Sequence, residues 1–335
     1  MLSLFQTNRL YGYLWVLLFF ALLSLPAWIQ PPVRLLVPSY DEPLFSFVFH
    51  FILSRPLLSL TTGSLIVLGN AVVINQLYNL FGLGKRQHFL TALFFLLTAC
   101  LKPELLYFNP VAPATLLLTM ALRQAFRLYN AVKEDEALFN MGAFIGLAVL
   151  FYPPFALLII WSLAAVNQSK RMSLREWLLY LFGMLTPWWI SFGLLYLIDR
   201  QSLLLNAFRF FRSFSLPETG PVTWADGAVY ILLAILLMLS LASQLLNQGS
   251  RVMQTRKYHL LLMLLYPFLL FSVFFASSPG LLPFYPLALP VSITLANYYE
   301  KNAGNAYLSA LCYLLILLII SKQYLNFDLI NYIIP

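Results

Sequence analysis

Residues 141–160 read MGAFIGLAVLFYPPFALLII, and the prolines at 153 and 154 decide how the chain is threaded. The stretch is apolar throughout and, taken as one helix, is long enough for a hydrocarbon core that needs about 20 residues. Proline lacks an N–H, clashes with the turn before it, and pushes the preceding residue out of the helical region. Two readings follow. Either two short helices meet at Pro153-Pro154 in a tight reversal, or one kinked helix passes through. The choice inverts the direction of everything downstream, so the number of crossings and the side of every later loop depend on it.

Working outward, the same kind of apolar run recurs along the whole chain. Clear runs cover 11–29, 56–80, 177–198, 226–246, 259–276 and 306–321, and shorter or broken ones 89–101, 110–128, 138–152, 153–167 and 283–299. With the reversal, this predicts an all-α polytopic transmembrane helix bundle of about eleven spans; with the kink, ten. Charge placement favours the reversal. With the N-terminus cytoplasmic, thirteen basic residues fall on the inside and seven on the outside, and every inside segment holds at least one. That is the bias expected of cytoplasmic loops. Merging the proline pair would move Arg251, Arg256 and Lys257 outside. The expectation is therefore an N-terminus in the cytoplasm and a C-terminus outside.

Composition agrees. Of 335 residues, 61% are hydrophobic and 10% charged, with mean hydropathy +0.82, against about 25% charged in soluble domains. No polar stretch is long enough to fold separately, so residues 1–335 read as a single integral membrane domain. The net charge of +8 is spread in ones to threes between apolar runs. That pattern fits topology signals and not a nucleic-acid-binding stripe. Cys100 and Cys312 lie inside apolar runs and read as small core hydrophobes. The run at 11–29 has no small-residue cleavage site after it and reads as a retained helix.

The outer segments carry the chemistry. Segment 30–55 contains Arg34, the adjacent acids Asp41 and Glu42, and Arg55, with Leu44–Leu53 too short to span and too apolar for a free loop. An interfacial helix fits it. Lys102 and Glu104 share the next outer segment, and loop 199–225 holds Arg209 and Arg212 on a second expected interfacial helix at Ser202–Phe214. A carboxylate there serves as general base when a substrate hydroxyl comes within hydrogen-bond reach. The plainer reading is a solvated turn at a helix start, worth roughly 0.3–1 kcal/mol. Likewise the arginines either bind a substrate phosphate or meet lipid headgroups. His50, His88 and His259 have no metal-ligand spacing, and Asn70 and Asn75 read as polar glue between helices. No nucleotide-binding loop or hydrolase elbow is present.

Two resemblances rest on these residues. EALFNMGAFIGLAVLFYPP at 136–154 followed by LREWLLYLFGMLTPWW at 174–189 resembles an uncharacterised bacterial family of multipass inner-membrane proteins, which implies location and topology. More distantly, the order of first span, Asp41-Glu42, interfacial helix and second span is similar to the GT-C glycosyltransferases. So are the glycine element at 141–160, the turn leading into the span at Pro110–Leu118, and LLPFYPLALP at 281–290. That likeness implies sugar transfer from a polyprenyl-phosphate donor on the non-cytosolic face. Asp41 or Glu42 would be the base, and Arg209, Arg212, Arg34, Arg55 or Lys102 would stabilise the departing phosphate. Glu104 would orient the acceptor or a metal. No cofactor is evident, and a divalent metal is compatible with Glu104 without a motif behind it. The expected partners are the lipid bilayer and the donor lipid; no protein partner can be named. The alternative is a non-catalytic membrane component or a transporter of lipids or small solutes.

Overall fold

The computed structural model describes residues 5, 11–29, 43–45, 55–129, 134–169, 173–197, 199, 202–206, 224–246, 253–276 and 280–325. Among them the secondary structure is helical, with no strand. The α-helices are α1 (Tyr11–Ile29), α2 (Pro56–Leu80), α3 (Leu90–Ala99), α4 (Val111–Leu128), α5 (Glu134–Phe151), α6 (Leu157–Ser169), α7 (Leu174–Leu197), α8 (Ser202–Asn206), α9 (Trp224–Leu246), α10 (Met253–Val273), α11 (Ala288–Lys301) and α12 (Ala306–Leu325). Single 3₁₀ segments stand at Pro103–Leu106, Pro153–Ala156 and Leu282–Leu287.

A helix stands at each of the eleven apolar runs, but the expectation of about eleven spans is not supported. Six helices, α1, α2, α7, α9, α10 and α12, are long and apolar enough to cross a membrane. The others fall short for a physical reason visible in their burial. All ten residues of α3 are buried, as are most of α4 and α11. In contrast, α7 and α9 bury only 28% of their best apolar window. The long helices thus supply the exposed apolar surface, and shorter ones fill the interior. A helix covered by protein need not match the hydrocarbon thickness, because its polar ends are satisfied by neighbours.

Pro153-Pro154 reverses the chain. Helices α5 and α7 run parallel: Asp135 and Arg175 pair at 2.8 Å near their starts, and Leu150 and Leu195 share a cluster near their ends. Between these points the backbones nearly touch. A Cβ on Gly142 would collide with the Tyr180 carbonyl, one on Gly146 with that of Met184, and one on Gly183 with that of Phe139. Parallel packing of α5 and α7 requires a return path between them, to which the 3₁₀ turn Pro153–Ala156 and α6 contribute. Tyr152 is extended (φ −141°, ψ 94°), as a residue before proline must be. The returning α6 packs on α10, with Trp161 Nε1 donating to the Leu261 carbonyl at 3.2 Å. The glycines of 141–160 thus serve close helix packing, which is a sufficient cause for that pattern.

Contacts sort the helix ends into two sets. At one end, Tyr107 donates to Ala27 O of α1 (3.4 Å), Phe108 N–H to Ser59 O of α2 (3.0 Å), and Lys322 of α12 to Leu101 O just after α3 (3.0 Å). At the other, Tyr78 of α2 bonds Glu300 of α11 at 2.9 Å. His88, just before α3, also reaches Glu300, and Tyr129 after α4 meets Tyr258 of α10 edge-on. We refer to these as the Lys322 end and the Glu300 end.

Candidate functional site

The segment 102–110 is held rigidly by its own residue types. Lys102 is extended ahead of Pro103 (φ −133°, ψ 144°). Asn109 accepts from Ala112 N–H at 2.8 Å and donates to Tyr107 O at 2.9 Å, so it caps the start of α4 with Pro110 beside it. A Cβ at Gly63 would strike the backbone of Leu106–Phe108, so α2 presses directly on this segment. Lys102 and Glu104 therefore stand at fixed places on the Lys322 end.

Beside them is a cavity of about 390 Å³ between the end of α3, α9, the 3₁₀ turn at 282–287 and the start of α11. Its walls are almost wholly aliphatic and aromatic, including Leu101, Leu233, Ala234, Leu237, Phe284 and Leu287, and Lys102 and Tyr230 bring polar atoms to it. Gly280 also lines it at φ +78°, a conformation that a side chain would strain, and a Cβ there would lie 3.9 Å from Glu104 Oε2. Glu104 is exposed and Lys102 half-buried.

Behind the wall lies a buried ion pair. Lys322, in the last turn of α12, contacts Asp226, in the first turn of α9; both side chains are under 5% exposed. The ammonium also donates to Leu101 O at 3.0 Å and stands 5.6 Å from the centre of the Tyr230 ring. Gln323 donates to Cys100 O. The last turn of α12 thus satisfies the carbonyls that α3 leaves unbonded at its C-terminus, where a cation is also favoured by the helix dipole.

Of the residues singled out in the sequence, Lys102 lines this cavity and Glu104 stands beside Gly280 at its edge. Arg55, at the N-cap of α2, is exposed and is not part of its wall. Arg34, Asp41, Glu42, Arg209 and Arg212 lie outside the described residues, as does most of each expected interfacial helix; only 43–45 and Ser202–Asn206 are seen, as helix. Among the described residues, no group of three or more His, Cys, Asp or Glu could hold a metal ion. The turn at 281–290, singled out in the GT-C likeness, contributes Leu281, Phe284 and Leu287 to the cavity.

Sequence reading missed a second constellation. At the Glu300 end, Glu300 accepts from Tyr78 (2.9 Å), from Arg86 N–H (2.6 Å) and from His88 Nε2 (3.2 Å). Glu300 stands in the last turn of α11, outside the six candidate spans. Burial works against its charged form, but the bonds from His88, Tyr78 and Arg86 N–H outweigh that and hold the carboxyl below its ordinary pKa. Asn79 braces the same loop, donating to His88 O at 3.1 Å and accepting from His88 N–H at 3.2 Å. His259 and Asn297 both approach Leu83 O. His88 and His259, which show no metal-ligand spacing in the sequence, are both buried. A carboxylate closing an otherwise apolar run was the available signal.

Residues 35–332 match the family described as a family of unknown function, DUF6427, and the chain belongs to that family. No curated protein and no solved structure matches it.

Proposed function

We propose that this protein is a multi-pass membrane protein that binds a membrane-borne amphiphile at its Lys322 end. The observation that carries this reading is the apolar cavity with Lys102 on its wall and Glu104 at its edge. Its volume lies at the lower end of ligand sites, which run about 300–1,000 Å³ and pair apolar walls with a few placed polar groups. A ligand drawn from the bilayer would leave its chain in an environment like the one it came from. The test is native mass spectrometry of protein extracted in mild detergent. Wild type should retain a bound amphiphile, and Ala234→Trp, which fills the cavity, should lose it at unchanged melting temperature. Identical bound mass in both proteins would overturn the reading.

In the same reading, the bundle lies in a bacterial inner membrane with its N-terminus cytoplasmic. The Lys322 end faces outward. The bias of thirteen basic residues to seven supports this orientation. A phosphatase fused after residue 335 should then be active outside the cytoplasm; activity of a cytoplasmic reporter there would reverse the assignment.

The narrower form is sugar transfer from a polyprenyl-phosphate donor, with Asp41 or Glu42 as base. Its support is that Lys102, implied by the GT-C likeness, lines the cavity and that Glu104, also implied by it, stands beside Gly280 at the cavity's edge. Asp41→Asn and Glu42→Gln should each abolish glycan output at normal protein level; wild-type output from both removes this form and leaves amphiphile binding standing.

A further inference from the structure

The cavity has four charged groups around it: Lys102, Lys322, Asp226 and Glu104. An ammonium has three donors. Those of Lys322 are committed to Asp226, to Leu101 O at 3.0 Å and to the face of Tyr230. Asp226 is neutralised by the same contact, and both side chains are buried. This pair therefore shapes the wall without offering charge to a ligand. Lys102 and Glu104 are different. Among the described residues neither has an ion-pair partner, and they are not paired with each other. Pro103 separates them, with Lys102 extended and Glu104 in a 3₁₀ turn. Lys102 on the wall and Glu104 at the Gly280 edge are thus a cation and a carboxylate without an ion-pair partner among the described residues, beside one apolar cavity.

A purely anionic head would meet Lys102 but place its charge near Glu104. A purely cationic head would do the reverse. Resting on the amphiphile reading above, we propose that the occupant is a zwitterionic, single-chain amphiphile. Its hydrocarbon chain lies in the cavity, its anionic group against Lys102 and its ammonium against Glu104. The modest volume, about 390 Å³, favours one chain over two.

The test uses delipidated full-length protein in detergent and three probes sharing one saturated chain: lysophosphatidylethanolamine, lysophosphatidylglycerol and the corresponding alkylamine. Binding is read by intrinsic fluorescence titration. Wild type should prefer lysophosphatidylethanolamine by roughly tenfold over the other two, the order of one charged hydrogen bond. Glu104→Gln should erase the preference over lysophosphatidylglycerol, and Lys102→Gln the preference over the alkylamine. Glu104 is exposed and Lys102 half-buried, neither with an ion-pair partner among the described residues, so melting temperatures should stay at the wild-type value and certify folding. Equal binding of all three probes, lost in Ala234→Trp, would overturn the zwitterion while sparing the amphiphile site. The same holds if lysophosphatidylglycerol is preferred and Glu104→Gln has no effect. Binding that Ala234→Trp does not reduce, or no binding of any probe, would overturn both.

Discussion

At the Glu300 end, one carboxylate gathers a tyrosine, a histidine and a backbone N–H, and the loop carrying them is braced again by Asn79. At the Lys322 end, one buried pair is tied to Leu101 O, while among the described residues Lys102 and Glu104 have no ion-pair partner and stand beside a cavity. The two ends are made of the same chemistry, a few ionisable groups at the tips of apolar helices. They differ in what is left over. The Glu300 end consumes its carboxylate internally and ties α2, the 82–88 loop and α11 together. The Lys322 end has charge and space to spare. Ligand chemistry belongs where polar groups remain unspent, so the second end is the one to search for function.

The sharpest way to break this comparison is to open the closed pair at the Lys322 end. Lys322→Ala leaves Asp226 buried without its counter-charge and Leu101 O without its donor. The expected cost is about 3–5 kcal/mol, measured as detergent-micelle unfolding. Replacing both partners together, Lys322→Met with Asp226→Leu, should restore most of that loss, because the penalty belongs to the orphaned charge. If single and double variants are equally damaged, the pair is not what Lys322 contributes.

Next in size is Glu300→Ala, which strands three donors under the end of α11. A loss of at least about 1.5–3 kcal/mol is expected, the worth of one hydrogen bond to a charged group. The same measurement on Lys102→Ala should show a change within about 0.5 kcal/mol, as for surface positions without partners. This contrast separates spent from unspent charge. A large loss at Lys102 would mean that the Lys322 end is structural too, and the functional distinction between the ends would go.

Much of the architecture was legible in the chain. Proline chemistry alone placed the break at 153–154, and the parallel packing of α5 on α7 shows the reversal. Asn109-Pro110 marks the start of α4 as a local signal should. What hydropathy did not show is which helices face lipid. Helix α3 is as apolar as α1, yet every one of its ten residues is buried, because α11, α2 and α1 close over it. Apolar lipid and apolar protein select the same residues, so interior and exterior helices look alike in sequence. The pairings Lys322–Asp226 and His88–Glu300 are similarly invisible. Each joins residues far apart in the chain, with no periodicity connecting them. Lys102 and Glu104 could be found because they sit together in one short polar segment.

The smallest effect concerns acid. Glu300 has a folded-state pKa below its ordinary value of about 4.3, so its contribution to stability is fully present above that value. As pH falls through the folded pKa the carboxyl takes up a proton, and the contribution is lost. The difference in melting temperature between wild type and Glu300→Gln should therefore be constant from neutral pH to about pH 5 and shrink below about pH 4. Tyr78→Phe removes one of the donors that favour the anion. It should raise the folded pKa towards the ordinary value, so that the loss still begins near that value but is complete at a higher pH and smaller in total. If the wild-type and Glu300→Gln curves instead stay parallel down to the lowest pH the protein tolerates, Glu300 is not held ionised by its neighbours. The Glu300 end would then have unspent acid of its own, and the two ends could no longer be told apart by what their charges leave unused.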